Sequence, residues 1–210
     1  MVLDQSVDDF RRTNMHSIFK TILIATAVVL IAACAGKDFV RPDTGELKNG
    51  VTTYDAIIQQ FGKPYAEGSA LKNDKLVKTA SYAYASVGGK SHRGGTAARA
   101  IGFYFLDDTL VGYEFVSSFA EDNTDFDEMK ITQFEENKTT LDEAIKLLGE
   151  PSGYYIYPLI EDTDDEAAVY VYSETKGSVF NMKMFRKVLV LTFDDNRVIT
   201  KVDYAATGTN

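Results

Sequence analysis

Cysteine occurs once in the 210 residues, at Cys34, so no disulfide forms within the chain and the fold must hold together by its core. Histidine is almost as scarce. Downstream of Cys34 only His92 remains, within Gly-Gly-Lys-Ser-His-Arg-Gly-Gly, a loop ill suited to holding a catalytic base in place. Those glycines and Lys90 lack the spacing and the following helix of a phosphate-binding loop. Basic charge is in deficit: 22 Lys and Arg stand against 31 Asp and Glu, a net −9, which argues against nucleic acid and against electrostatic docking on anionic lipid. The apolar run at residues 21–33 is shorter than the roughly 20 residues a membrane span needs. Two acidic clusters lack the glycine and glutamate frame of a calcium loop. They are Asp122, Asp125, Asp127 and Glu128, and then Glu161, Asp162, Asp164, Asp165 and Glu166, and both read as solvated charge. No catalytic residue, metal or cofactor is therefore expected.

What is present begins at the single thiol. Residues 21–33 end in Ile31-Ala32-Ala33 before Cys34, an apolar stretch closed by small side chains that fit a signal peptidase pocket. This arrangement resembles the lipobox of bacterial lipoproteins, in which the cysteine is diacylated, becomes the new N-terminus and is usually acylated again. The expectation is a signal peptide at residues 1–33, cleavage between Ala33 and Cys34, and a lipidated polar tether at residues 34–47. Asp4, Asp8 and Asp9 cancel Arg11 and Arg12 in the first fourteen residues, which makes Met15 the better translation start. Cleavage removes three basic residues (Arg11, Arg12, Lys20) and those three acidic ones, so the charge stays at −9. The acyl chains must then hold the protein to the membrane, each buried CH₂ contributing about 0.8 kcal/mol. By resemblance to Gram-negative lipoproteins, Ala35 and Gly36 after the cysteine imply the periplasmic face of the outer membrane. A Gram-positive source would place it on the outer surface of the plasma membrane.

The chain also repeats itself. At a shift of 87, Thr52, Thr53, Asp55, Ile58, Gly62 and Pro64 fall on Thr139, Thr140, Asp142, Ile145, Gly149 and Pro151. Slipped by one, the register carries Tyr82 and Tyr84 onto Tyr170 and Tyr172, and Phe105-Leu106-Asp107-Asp108 onto Phe193-Asp194-Asp195-Asn196. Each copy opens with a short helix: paired threonines cap it, acidic residues fill its first turn, and glycine then proline end it. Tyr54, Ile57, Ile58 and Phe61 form one apolar stripe, and Leu141, Ala144, Ile145 and Leu148 the other.

Antiparallel strands are predicted over residues 81–86, 101–106 and 110–119 of the first copy and 167–172, 188–193 and 198–204 of the second. Residues 64–67 and 153–159 are candidates for one further strand in each sheet. The fold class expected is α+β: two tandem repeats, residues 48–120 and 136–206, each a short helix packed on its own three- to four-stranded antiparallel sheet. Residues 121–135 are a linker and 207–210 a tail. Residues 35–46, 86–96 and 121–130 are read as mobile connections. Tyr82, Tyr84, Tyr170 and Tyr172 alternate with small residues, so each pair lies on one sheet face. If that face meets the helix they are core; if it is open they form a tyrosine patch suited to a protein partner.

The pattern Asn-Gly-Val-Thr-x-x-x-Ala-x-x-x-x-Phe-Gly-Lys-Pro, followed by an aromatic strand and a hydrophobic strand ending in aspartates before a turn, resembles the SmpA/OmlA (BamE-like) family of small outer-membrane lipoproteins. In tandem it resembles the β-lactamase inhibitor protein (BLIP-like) fold, whose two helix-plus-sheet units grip an enzyme with a concave surface. Both resemblances imply binding to protein rather than catalysis. The leading expectation is a non-enzymatic periplasmic lipoprotein in outer-membrane assembly or maintenance. The alternative is an inhibitor or chaperone-like binder of a periplasmic enzyme.

Overall fold

The computed structural model describes residues 36–43, 45–92, 96–178 and 181–208. The expected signal peptide, Ala33 and Cys34 lie outside the described residues. In chain order the elements are α1 (Tyr54–Phe61), β1 (Ala66–Lys72), β2 (Lys75–Lys90), β3 (Thr96–Leu106) and β4 (Thr109–Ser117). A 3-10 helix (Glu128–Gln133), α2 (Leu141–Leu148), β5 (Gly153–Tyr155), β6 (Glu166–Ser178), β7 (Asn181–Phe193) and β8 (Ile199–Gly208) follow. All belong to one compact unit, Lys37–Asn210.

The strands form a single eight-stranded antiparallel sheet in the order β1-β2-β3-β4-β5-β6-β7-β8. This corrects the expected fold class: the chain is not two tandem helix-on-sheet repeats with a sheet each, but one continuous sheet with short helices laid on it. The reason lies at β5. Gly153–Tyr155 pairs with β6 on one side and, through Tyr155, with Gly112 of β4 on the other. Phe115 N donates to Ser152 O at 2.8 Å and Ile156 N to Val111 O at 2.9 Å. Ser152 Oγ then accepts from Val171 N of β6 at 2.9 Å. Two sheets would each leave a bare edge here, and joining them satisfies both rows of backbone groups. The strand expected over residues 153–159 stops at Tyr155.

The sequence repeat survives as matched local hydrogen bonding. Thr52 Oγ1 accepts from Lys48 N at 2.9 Å, and Thr139 Oγ1 from Glu135 N at 2.8 Å. Thr53 caps α1, and Thr140 caps α2 in a full capping box with Glu143. Tyr82 Oη donates to Gly62 O at 2.7 Å and Tyr170 Oη to Gly149 O at 3.0 Å, so a strand tyrosine ties down the end of each helix. β3 and β7 each carry a register shift, at Tyr104/Phe105 and at Thr192/Phe193.

Both helices lie on the same face of the sheet. Tyr54 and Phe61 of α1 cover Tyr82, Ile101, Phe103, Phe105 and Phe115; Leu141 and Ala144 of α2 cover Tyr170, Tyr172, Leu189 and Leu191. Tyr154 of β5 packs against both clusters and makes the core continuous. Among the described residues no helix is long and apolar enough to cross a membrane.

The described residues of all three connections read as mobile include some that are engaged with the fold. β2 and β3 extend into residues 86–96, reaching Lys90 and Thr96. In residues 35–46, Phe39 packs against the first cluster and Arg41 donates to the carbonyls of Glu150 and Pro151. Residues 121–130 hold Phe126, which is buried in the second cluster.

Candidate functional site

The repeated tyrosines resolve to the helix-covered side. Tyr82, Tyr170 and Tyr172 are buried, the core outcome of the two considered for them, and as side chains beneath the helices they do not form an open tyrosine patch. Tyr84 is half-buried and stacks on Phe119, with ring centroids 6.0 Å apart. His92 is exposed, and its Nε2 stands 4.0 Å from an oxygen of Asp125.

The first acidic cluster is not solvated charge. Lys187 of β7 is only 2% exposed, and its ammonium lies 2.8 Å from Asp125, 2.6 Å from Glu128 and over the ring of Phe126. Arg99 of β3, 8% exposed, meets Glu121 at 3.1 Å and Asp122 at 3.3 Å and stacks over Phe119. A buried cation must be neutralised, and the linker carboxylates do this. Donation from Lys187 is the main cause that holds the Glu128 carboxyl below its ordinary value. Arg99 and Lys187 stand 88 apart, in the slipped register of the repeat, each a cation on the inward face of its strand beside apolar residues. That offset was the available signal for both.

The opposite face of the sheet carries no helix. Alternation and register assign it Ala83 of β2, Ala98, Ala100 and Tyr104 of β3, Glu114 and Val116 of β4, Tyr155 of β5, Arg186, Val188 and Val190 of β7, and Asp203 and Ala205 of β8. Ala83, Ala98, Ala100, Asp203 and Ala205 are exposed, Tyr104, Val116, Val188 and Val190 are partly so, and Val169 and Val171 of β6, on the same face, are fully buried. At the centre, Tyr155 Oη donates to Glu114 Oε2 at 2.8 Å, and Arg186 Nη2 reaches Glu114 Oε1 at 3.2 Å. The rings of Tyr104 and Tyr155 meet edge to face at 5.7 Å. Burial, reinforced by the Glu114 charge, pushes both phenols up, so neither acts as a base near neutral pH. The cluster ties β3, β4, β5 and β7 together with satisfied polar groups.

Beside it lies a groove of about 830 Å³. Tyr155, Val190 and Thr192 contribute from the strands, and Pro158 to Asp162 from the loop after β5. The β1–β2 turn holds that loop in place, because Asn73 Nδ2 donates to Ile160 O at 2.8 Å and to Pro158 O at 3.1 Å. Thr200 Oγ1 donates to Asp165 at 2.9 Å on the far wall. Sequence reasoning missed this face because the residues that build it come from both repeats and from loops, and no spacing links them. Among the described residues, no group of three His, Cys, Asp or Glu side chains is disposed to hold a metal ion.

Comparison with protein-family profiles gives no match, and comparison with curated proteins gives none. The SmpA/OmlA resemblance therefore finds no support there. Among solved structures, the chain is similar to a crystal structure of a candidate beta-lactamase inhibitor protein from Streptococcus mutans, at 16% identity and a TM-score of 0.39. That likeness covers 79% of this chain and 89% of the other, and at this level it does not establish a shared fold.

Proposed function

We propose that this protein catalyses nothing and works by binding another protein across the open face of its sheet. The observation that carries the reading is the asymmetry of the sheet: both helices and both aromatic clusters sit on one face, while on the other the buried Val77, Val169 and Val171 are flanked by exposed alanines and by partly exposed Tyr104, Val116, Val188 and Val190. A broad surface of small and apolar side chains around an ordered polar centre suits contact with a folded partner. Of the two partner classes, a soluble envelope enzyme, held in the manner of an inhibitor or chaperone, is preferred to an assembly component of the outer membrane. A rigid eight-strand face matches a folded surface better than an extended nascent strand. The same reading keeps the protein lipid-anchored through Cys34, on the periplasmic side of the outer membrane or, in a Gram-positive cell, outside the plasma membrane.

A photocrosslinking amino acid at Ala100 of the open face, compared with one at the exposed Ala56 of α1, tests the surface in living cells. Adducts from Ala100 and none from Ala56 are expected. Adducts confined to Ala56 would overturn the reading, and mass spectrometry of the adduct separates an enzyme from an assembly component. For the anchor, Cys34→Ser should abolish acylation and move the protein to the soluble fraction or leave it uncleaved. Normal processing and membrane fractionation of that variant would remove the anchor from the account.

A further inference from the structure

We propose that the groove beside Tyr155 receives a basic, partly apolar segment of the partner protein, with a lysine or arginine side chain laid into it. The inference rests on the open-face reading and names the chemistry of the partner there. Charge is the first argument. The groove is lined by four carboxylates, Glu161, Asp162, Asp165 and Asp203, against two lysines, Lys72 and Lys201, a local net of −2. Lys201 is already engaged by Asp203 at 3.1 Å, which leaves the loop carboxylates facing Lys72 as the only other cation of the lining. These acids belong to the second acidic run of the sequence, and unlike the first it neutralises no buried cation among the described contacts.

Shape is the second argument, independent of charge. The lining combines those acids with Val190, Leu159, Ile160 and the ring of Tyr155. Long cationic side chains pack an apolar stem while placing a charged head in a polar rim, so one groove satisfies both ends. A volume of about 830 Å³ accommodates several side chains rather than one ion. The third argument is preorganisation. The wall is fixed by the two Asn73 hydrogen bonds, by Ile156 N to Val111 O at 2.9 Å, and by Leu159 N to Ile156 O at 2.9 Å. Binding therefore orders little of the loop.

The test uses the full-length chain in detergent and a fluorescein-labelled acetyl-Leu-Arg-Leu-Lys-Leu-Arg-amide peptide, read by anisotropy. The wild-type protein should bind it, and the combined variant Glu161→Gln, Asp162→Asn, Asp165→Asn should weaken binding by about tenfold or more. A charge-matched variant at distant turns, Asp107→Asn, Glu150→Gln, Asp195→Asn, should change it by less than about threefold. No binding by the wild type, or equal loss in both variants, would overturn the proposal, the latter by reducing it to general attraction to an acidic protein. A measurement without substitutions guards against a misfolded variant: on peptide titration the methyl resonances of Val190 and Leu159 should shift while those of the core Leu191 stay. Still core and groove methyls alike would also overturn it. If the groove variant keeps every Ala100 adduct in cells, the groove proposal fails and the open-face reading stands; adducts found only at Ala56 take down the open-face reading instead.

Discussion

Single side chains decide this fold at a few crowded points. Lys187 is buried against Asp125, Glu128 and Phe126, and removing one partner of such a group strands the others. Lys187→Ala should lower the unfolding free energy by about 3–5 kcal/mol in a urea titration. An exposed lysine such as Lys183 should show no comparable loss on the same change. At the seam, Gly153 is fixed by proximity rather than by conformation: a methyl group there would collide with the carbonyl oxygen of Tyr113. Gly153→Ala should cost at the upper end of the about 1–3 kcal/mol typical of overpacking. Gly68→Ala, where the nearest atom is the Thr79 hydroxyl at 3.2 Å, should cost far less.

Among the elements, the segment between β4 and α2 is the one whose behaviour depends most on pH. Its Glu128 carboxyl sits below the ordinary 4.5, chiefly because Lys187 donates to it. A depressed carboxylate contributes stability above its ordinary value, and that contribution disappears as pH falls through the lowered one. Stability should therefore decline as pH falls below about 4.5, and Glu128→Gln should flatten the decline, as followed by denaturant midpoints across an acid series. This segment also marks the limit of what the sequence disclosed. Helix positions and caps were legible, because Thr53, Gly62, Thr140 and Gly149 act through local hydrogen bonds within a turn or two. Hairpin turns were legible for the same reason: Asp107 and Asp108 both adopt positive φ. The role of the linker acids was not, since their partners Arg99 and Lys187 lie tens of residues away and the burial of those cations is a property of the packed sheet. The joining of β4 to β5 was equally hidden, because a three-residue strand carries no periodicity.

For the molecule as a whole, tyrosine burial sets an alkaline limit. Burial is the first cause that lifts Tyr82 and Tyr113 to about 12, and Tyr104, Tyr155 and Tyr170 shift the same way. A phenol whose value is raised in the fold contributes stability that is complete below its ordinary 10.0 and is lost as pH climbs toward the raised one. Unfolding and phenolate absorbance should thus appear together between about pH 10 and 12. Ionisation of these five tyrosines near 10 with the fold intact would contradict their burial. Assembly follows a different logic, set by strand order. Each strand hydrogen-bonds to the one before it in the chain, and only the closure from Ser117 to Ser152 spans a long intervening stretch. Chain-order zippering keeps most pairings local, which favours quick acquisition of structure for a sheet of this size. A polypeptide threaded outward N-terminus first could lay down its first four strands before the remainder emerges, then extend the ribbon by accretion at the growing edge.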